Sequence, residues 1–167
     1  NQVLSEDKIL ESLKEGGKII FIRHAYAPGG GDPQNFNIND CSTQRNLSDE
    51  GINQSKLIGE FFKTNKIKID KVLSSEWCRC KDTAKFAFND FETFDALNSF
   101  FSAKFAKNEK KQIKDLKNYI KNWKSNKNLI LVTHYVVISS ILNIAVGSGE
   151  IVISDKNYEI IGSIDTM

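Results

Sequence analysis

Two segments, Lys18-Ile-Ile-Phe-Ile22 and Asn128-Leu-Ile-Leu-Val-Thr133, are nearly unbroken apolar runs of strand length. Such runs lack the in–out alternation of a half-solvated sheet. They read as parallel strands covered on both faces by helices. Amphipathic stretches alternate with them. A helix is expected over 5–15, with Ser5 as N-cap and Gly16-Gly17 ending it. A second runs from a Ser48 cap to about Asn65, with Asp49 and Glu50 in its first turn. Gly51, Ser55 and Gly59 share one face of it and invite close packing. Residues 71–74 read as a strand, 76–88 as a helix and 93–97 as a short strand. Ile113, Leu116, Ile120 and Trp123 give a helical stripe over 109–124. Residues 136–146 form a buried helix, and 151–154 with 158–164 a terminal hairpin. This order predicts one domain, 1–167, built as a three-layer α/β/α sandwich with a mostly parallel central sheet.

The 167 residues carry a net charge of +2, with 40% hydrophobic and 26% charged residues. The lysines are spread as solvated faces, so no nucleic-acid partner is expected. No apolar run reaches the ~18–20 residues of a bilayer span. The most apolar stretch, Leu129 to Val146, is broken by Thr133, His134, Ser139, Ser140 and Asn143. The first residue is Asn1; a removed signal peptide would place the protein outside the cytosol. The expectation is a periplasmic or otherwise exported protein, with a cytoplasmic one as the alternative. Of three cysteines, Cys78 and Cys80 are too close for the usual metal knuckle. Cys41 could bridge either of them in an oxidising compartment.

Only two histidines occur, and each follows an apolar strand directly: His24 after Ile22-Arg23, and His134 after Thr133. Ligands of open α/β sheets bind beyond the carboxyl ends of strands. Arg79 falls a few residues after the 71–74 strand, so His24, Arg23, Arg79 and His134 can share one rim. Guanidinium matches phosphate oxygens, and neutral imidazole is a nucleophile near pH 7. The helix starts near Ser75 and Tyr135 add positive dipole ends. The loop from Tyr26 to Asn46 is long enough to be functional. A metal site on the two histidines is disfavoured, because the adjacent arginines would repel a cation.

Phe21-Ile-Arg-His-Ala25 resembles the R-H-G signature of the histidine phosphatase, or phosphoglycerate-mutase-like, superfamily. Leu47-Ser-Asp-Glu-Gly51, Ser74-Ser-Glu-Trp-Cys-Arg-Cys-Lys-Asp-Thr-Ala84 and Val132-Thr-His134 are similar to its further motifs, in the family's order. The resemblance implies that His24 is phosphorylated while Arg23, Arg79 and His134 hold the phosphoryl group. Thr83 and Ala84 would support the helix of Arg79, and neither metal nor cofactor is expected. Three features depart from the pattern. Ala25 stands for the usual glycine. Tyr135 follows His134 where the acid-phosphatase branch has a carboxylate, and Ala96–Phe101 lacks the glutamate of the mutases. A leaving alkoxide still needs a proton, for which Asp32 and Asp40 are candidates and Glu150 a weaker one. The long loop, in which Arg45 faces either the pocket or a salt bridge, resembles a bacterial group with some exported members.

The expected activity is that of a phosphatase acting on a phosphomonoester, a sugar phosphate or similar small molecule. The alternatives are a protein phosphohistidine phosphatase and a non-catalytic phosphate-binding domain. A mutase fits less well, because the chain is short for the enclosed site it needs. Oligomeric state has no signature in the sequence.

Overall fold

A computed structural model describes residues 6–167; the expected Ser5 cap lies outside them. Six strands form one sheet: β1 (Ile19–Arg23), β2 (Ile69–Ser74), β3 (Glu92–Thr93), β4 (Asn128–Thr133), β5 (Ile151–Ser154) and β6 (Ile160–Ile164). Their order is β3-β2-β4-β1-β5-β6. The first four are parallel, and β5 and β6 run antiparallel at one edge. The helices are α1 (Glu6–Glu15), α2 (Asp49–Thr64), α3 (Cys78–Phe88), α4 (Glu109–Asn122) and α5 (Tyr135–Leu142).

Alternation along the strands divides the interior into two cores. Ile19, Phe21, Leu129 and Leu131 point to one side, where Leu116 and Ile120 of α4 and Val137 and Ile138 of α5 cover them. Ile20, Ile22, Ile130 and Val132 point to the other, against Leu13 of α1, Ile58 and Phe62 of α2 and Ala84 of α3. Each of these side chains is nearly or fully buried, contributing on the order of 1.5–3 kcal/mol. The predicted three-layer sandwich with a mostly parallel sheet is the architecture found.

Helix α2 begins as its sequence directs, with the Ser48 side chain accepting from the Gly51 N–H at 3.3 Å. The small face of α2 is used as expected. A Cβ on Gly59 would lie 2.1 Å from the Ala87 carbonyl oxygen, and one on Gly51 2.1 Å from that of Tyr26. Only glycine lets α2 approach α3 and the loop after β1 this closely.

Several boundaries differ from the sequence reading by a few residues, three of them informatively. The strand expected over 93–97 stops at Thr93, and Asp95–Leu97 winds into a 3₁₀ turn. Helix α3 starts at Cys78, because Trp77 keeps an extended backbone (φ −64°, ψ 140°) as its N-cap. Helix α5 ends at Leu142, because Asn143 adopts a left-handed conformation (φ 57°) and closes it.

Candidate active site

Strands β1 and β4 are adjacent and in register, Arg23 opposite Thr133. The residues that follow them, His24 and His134, therefore emerge side by side. Their ring centroids lie 5.6 Å apart, edge to face. Both histidines and Arg79 are almost wholly buried, yet all line one cavity of about 560 Å³ together with Arg23, Arg45 and Asp32.

His24 is oriented by its own chain. Nδ1 lies 2.9 Å from the Ala25 carbonyl oxygen, which only accepts, so Nδ1 carries the ring proton. The Nε2 lone pair is then free of a proton and accepts from Arg79 Nε at 3.2 Å. Burial, and next the Arg79 charge, hold the His24 pKa well below the usual imidazole value. The ring is therefore neutral near pH 7, the protonation state of a nucleophile. Ala25 is fully buried and does not take the left-handed conformation that would demand glycine. Its N–H donates to Thr83 Oγ1 at 2.9 Å, and that hydroxyl donates to the Arg79 carbonyl at 2.8 Å. Thr83 thus ties the backbone beside His24 to the helix turn that carries Arg79.

His134 Nε2 contacts Ser75 Oγ at 2.8 Å and Cys80 Sγ at 3.4 Å. Burial, then Arg79, then His24 keep its pKa well below the ordinary value. Burial pushes the Cys80 thiol up to about 12, so it carries no thiolate at neutral pH.

The cations surround these rings. Arg23 Nη1 donates to the Val146 carbonyl at 2.9 Å, and its plane lies 5.5 Å from the Tyr135 ring centroid. Its Nε is a buried donor with no acceptor among the described residues. Burial and then the neighbouring Arg79 lower the pKa of both Arg23 and Arg45, the signature of positive charges crowded together. Arg45 does face the pocket, while also donating from Nε to Gly31 O at 2.8 Å and from Nη1 to Ala27 O. It holds the glycine-rich loop in place.

The two proposed proton donors part company. Asp32 is in the site: Oδ1 accepts from Arg79 Nη1 at 2.8 Å and from the Arg45 N–H at 3.1 Å, and Oδ2 from Trp77 Nε1 at 3.1 Å. Burial alone would raise its pKa, but these hydrogen bonds and the Arg79 charge outweigh it and leave the carboxyl below its usual value. Asp40 is not brought to the cavity. It is exposed and caps the 3₁₀ turn Cys41–Thr43, accepting from the Ser42 N–H at 3.1 Å, so the expectation that it donates a proton is corrected. Glu150 likewise accepts from the Gly147 N–H at 3.0 Å, outside the cavity lining.

Between the alternatives for Cys41, the structure selects Cys78: the two form a disulfide and Cys80 stays free. Gln44 reinforces the same junction, its Oε1 accepting from the Cys78 N–H at 2.9 Å. The loop is thereby fastened next to Arg79. Gln44 and Trp77 were not singled out by sequence reasoning, and Ser75 was read only as lying near a helix start. Only the position of Ser75 directly after a strand hinted at a role.

The α/β/α sandwich carries a cationic pocket at the ends of adjacent parallel strands. No protein-family model matches the chain, and no curated protein does. Solved structures match it over most of its length. The protein histidine phosphatase SixA complexed with tungstate aligns with TM-score 0.63 at 13% identity, over 89% of this chain and 97% of that one. A putative phosphohistidine phosphatase SixA from Agrobacterium tumefaciens aligns with TM-score 0.60 at 17% identity, over 89% and 98%. A mutant phosphoserine phosphatase from Entamoeba histolytica in complex with phosphoserine aligns with TM-score 0.59 at 20% identity, over 81% and 89%. The chain has the fold of the histidine phosphatase, or phosphoglycerate-mutase-like, superfamily.

Among the described residues, no helix is long and apolar enough to cross a membrane.

Proposed function

We propose that this protein is a phosphatase that hydrolyses a small phosphomonoester through a phosphohistidine on His24. One observation carries the reading. The unprotonated Nε2 of His24 opens onto a cavity whose Arg23, Arg45 and Arg79 face a single carboxylate, Asp32. A lone pair at the centre of fixed positive charge suits in-line attack on a phosphoryl group.

In the first step Arg79 Nε turns its hydrogen bond from His24 Nε2 to a phosphoryl oxygen, Nε2 attacks phosphorus with the freed lone pair, and the P–O bond to the alcohol breaks. Arg23 and Arg79 take up the charge on the phosphoryl oxygens. The neutral His134 ring, held at Nε2 by Ser75 Oγ, lines the same cavity. Asp32 is ionised while Arg79 belongs to it. A phosphoryl dianion that takes over Arg79 removes the cation holding the carboxyl down, so Asp32 gains a proton and delivers it to the leaving alkoxide. In the second step water attacks phosphorus, its proton passes to Asp32, the N–P bond breaks and phosphate leaves. No step routes through a metal, and the ring of guanidiniums disfavours a cation at this place. Activity that survives prolonged chelation is the expected result.

The test is covalent. Brief incubation with a turned-over phosphomonoester should add one acid-labile phosphoryl group to His24, and none to His24→Ala. A chain that binds phosphate but never gains the group is a binding domain instead. A chain that dephosphorylates only a phosphohistidine protein is a protein phosphatase, the activity named for the tungstate-bound neighbour. The Cys41–Cys78 disulfide supports an oxidising, exported location such as the periplasm; cell fractionation tests it.

A further inference from the structure

Trp77 joins two halves of the site. Its indole Nε1 donates to Asp32 Oδ2 at 3.1 Å. Its backbone N–H donates at 3.1 Å to Ser75 Oγ, which lies 2.8 Å from His134 Nε2. The side chain is 3% exposed and held on several sides. Phe36 stacks on it at 4.9 Å, Phe105 meets it edge-on at 5.6 Å, and the His134 ring stands across it at 5.4 Å. An indole packed this closely has few rotamers open to it, so Nε1 is a donor fixed in place. Packing alone would be served by phenylalanine. It does not account for an N–H directed at the single carboxylate that lines the cavity.

Asp32 holds its donors unevenly. Oδ1 accepts from Arg79 Nη1 and from the Arg45 N–H, whereas Oδ2 accepts only from Trp77 among the described residues. Once Arg79 turns to the phosphoryl oxygens, the charge-assisted bond on Oδ1 is gone. Two neutral donors remain, one on each oxygen. Together they fix the plane of the carboxyl group, which neither could do alone. The lone pair that Arg79 leaves on Oδ1 is then the one open to a proton beside the reacting group.

We infer that Trp77 is a positioning residue for proton delivery: its indole N–H holds Asp32 Oδ2 while Oδ1 exchanges the Arg79 bond for the proton that the leaving alkoxide takes. This rests on the phosphatase reading above and deepens it. As the P–O bond breaks, its electron pair stays on the alcohol oxygen and the Oδ1 proton moves there. Asp32 is left ionised, ready to accept the proton of the attacking water.

The test compares ethyl phosphate, whose alkoxide needs a proton, with p-nitrophenyl phosphate, whose phenolate leaves without one. The readout is the ratio of their kcat/KM values, which report the step that expels the alcohol. In Trp77→Phe the ethyl to p-nitrophenyl ratio should fall by roughly fivefold or more, the contribution of one hydrogen bond. The same fall is expected with 3-benzothienylalanine at position 77, which keeps the indole shape and replaces the N–H by sulfur. It decides the matter alone if Trp77→Phe does not fold. Asp32→Asn should lower the ratio by about 10²-fold. A ratio that survives the sulfur isostere overturns the inference, whatever Trp77→Phe does, because shape and not the N–H is then what counts. If Asp32→Asn still lowers the ratio in that case, the phosphatase reading stands without Trp77. A ratio unmoved in Asp32→Asn removes the proton path and Trp77 with it, and leaves the phosphohistidine on His24 to its own test. A parent protein that hydrolyses neither ester and gains no phosphoryl group removes both.

Discussion

Asp32 and Arg79 form an ion pair, Oδ1 to Nη1 at 2.8 Å, in which the arginine is almost fully buried and the carboxylate partly so. The same guanidinium reaches the attacking nitrogen of His24 through Nε, so Asp32 competes with phosphate for a group that the reaction needs. Replacing Asp32 by Asn removes the competing charge. A charge-assisted hydrogen bond of this kind contributes about 1.5–3 kcal/mol, so orthovanadate should bind roughly tenfold tighter or better. Turnover should fall by about 10²-fold with the loss of the proton carrier. Weaker vanadate binding together with full turnover would exclude Asp32 from both roles.

Thr83 connects two parts of the site with a single hydroxyl. Thr83→Val keeps the shape and leaves the buried Ala25 N–H and Arg79 carbonyl without that partner. The Arg79 carbonyl keeps its helix bond, so one buried donor is left unsatisfied at about 1–3 kcal/mol, and the melting temperature should drop by roughly 3–10 °C. Thr83→Ser should recover most of the loss. A valine variant as stable as the parent would show that the two bonds are made elsewhere.

Acid should unfold this protein through its histidines. Both are held neutral in the fold, with pKa values well below 6.5, and regain ordinary values when unfolded. The unfolded chain therefore binds more protons below about pH 6.5, and stability falls as pH falls through that point. The slope is at most about 1.4 kcal/mol per histidine per pH unit. Urea midpoints measured between pH 7.5 and 5.5 should decline, and His134→Gln should flatten the decline by about half. An unchanged slope in that variant would mean that His134 is charged in the fold.

The disulfide should matter for stability and Cys80 should not matter for chemistry. Cys41 and Cys78 are 37 residues apart, a closure that constrains the unfolded chain by roughly 3–4 kcal/mol on the chain-entropy account. Replacing both by serine should lower stability by about that amount and raise KM, since the loop then holds Asp32 and Arg45 less firmly. Cys80→Ala should retain near-normal turnover, because its thiol stays protonated. Loss of turnover in that variant with the fold intact would reveal a role for the sulfur against His134.

The meeting of His24, Arg23, Arg79 and His134 at one rim was the most legible part of the sequence. Unbroken apolar runs mark buried parallel strands, and His24 and His134 follow such runs directly, so their rim could be read without coordinates. The sheet order could not, because it depends on which strands pair rather than on any one segment. The Asp32 and Asp40 alternatives looked equivalent as loop carboxylates; only the path of the loop sets one against Arg79 and leaves the other capping a turn. Likewise Cys78 and Cys80, two residues apart on α3, point in different directions, one to Cys41 and one into the core. The presence of Phe36, Phe101 and Phe105 in the cavity lining went unread because they lie outside the regular helices and strands, where no periodicity relates them.

The register of β1 against β4 fixes how far apart the two imidazoles stand. That distance belongs to the hydrogen-bonded backbone, independent of the loops above it. A segment exchanged for Ala27 to Asn46 would have to supply again the carboxylate that Asp32 sets against Arg79, but the reacting nitrogen and its neighbour would keep their spacing. The framework works as a ruler, and selectivity is carried by parts that can be swapped without redrawing it.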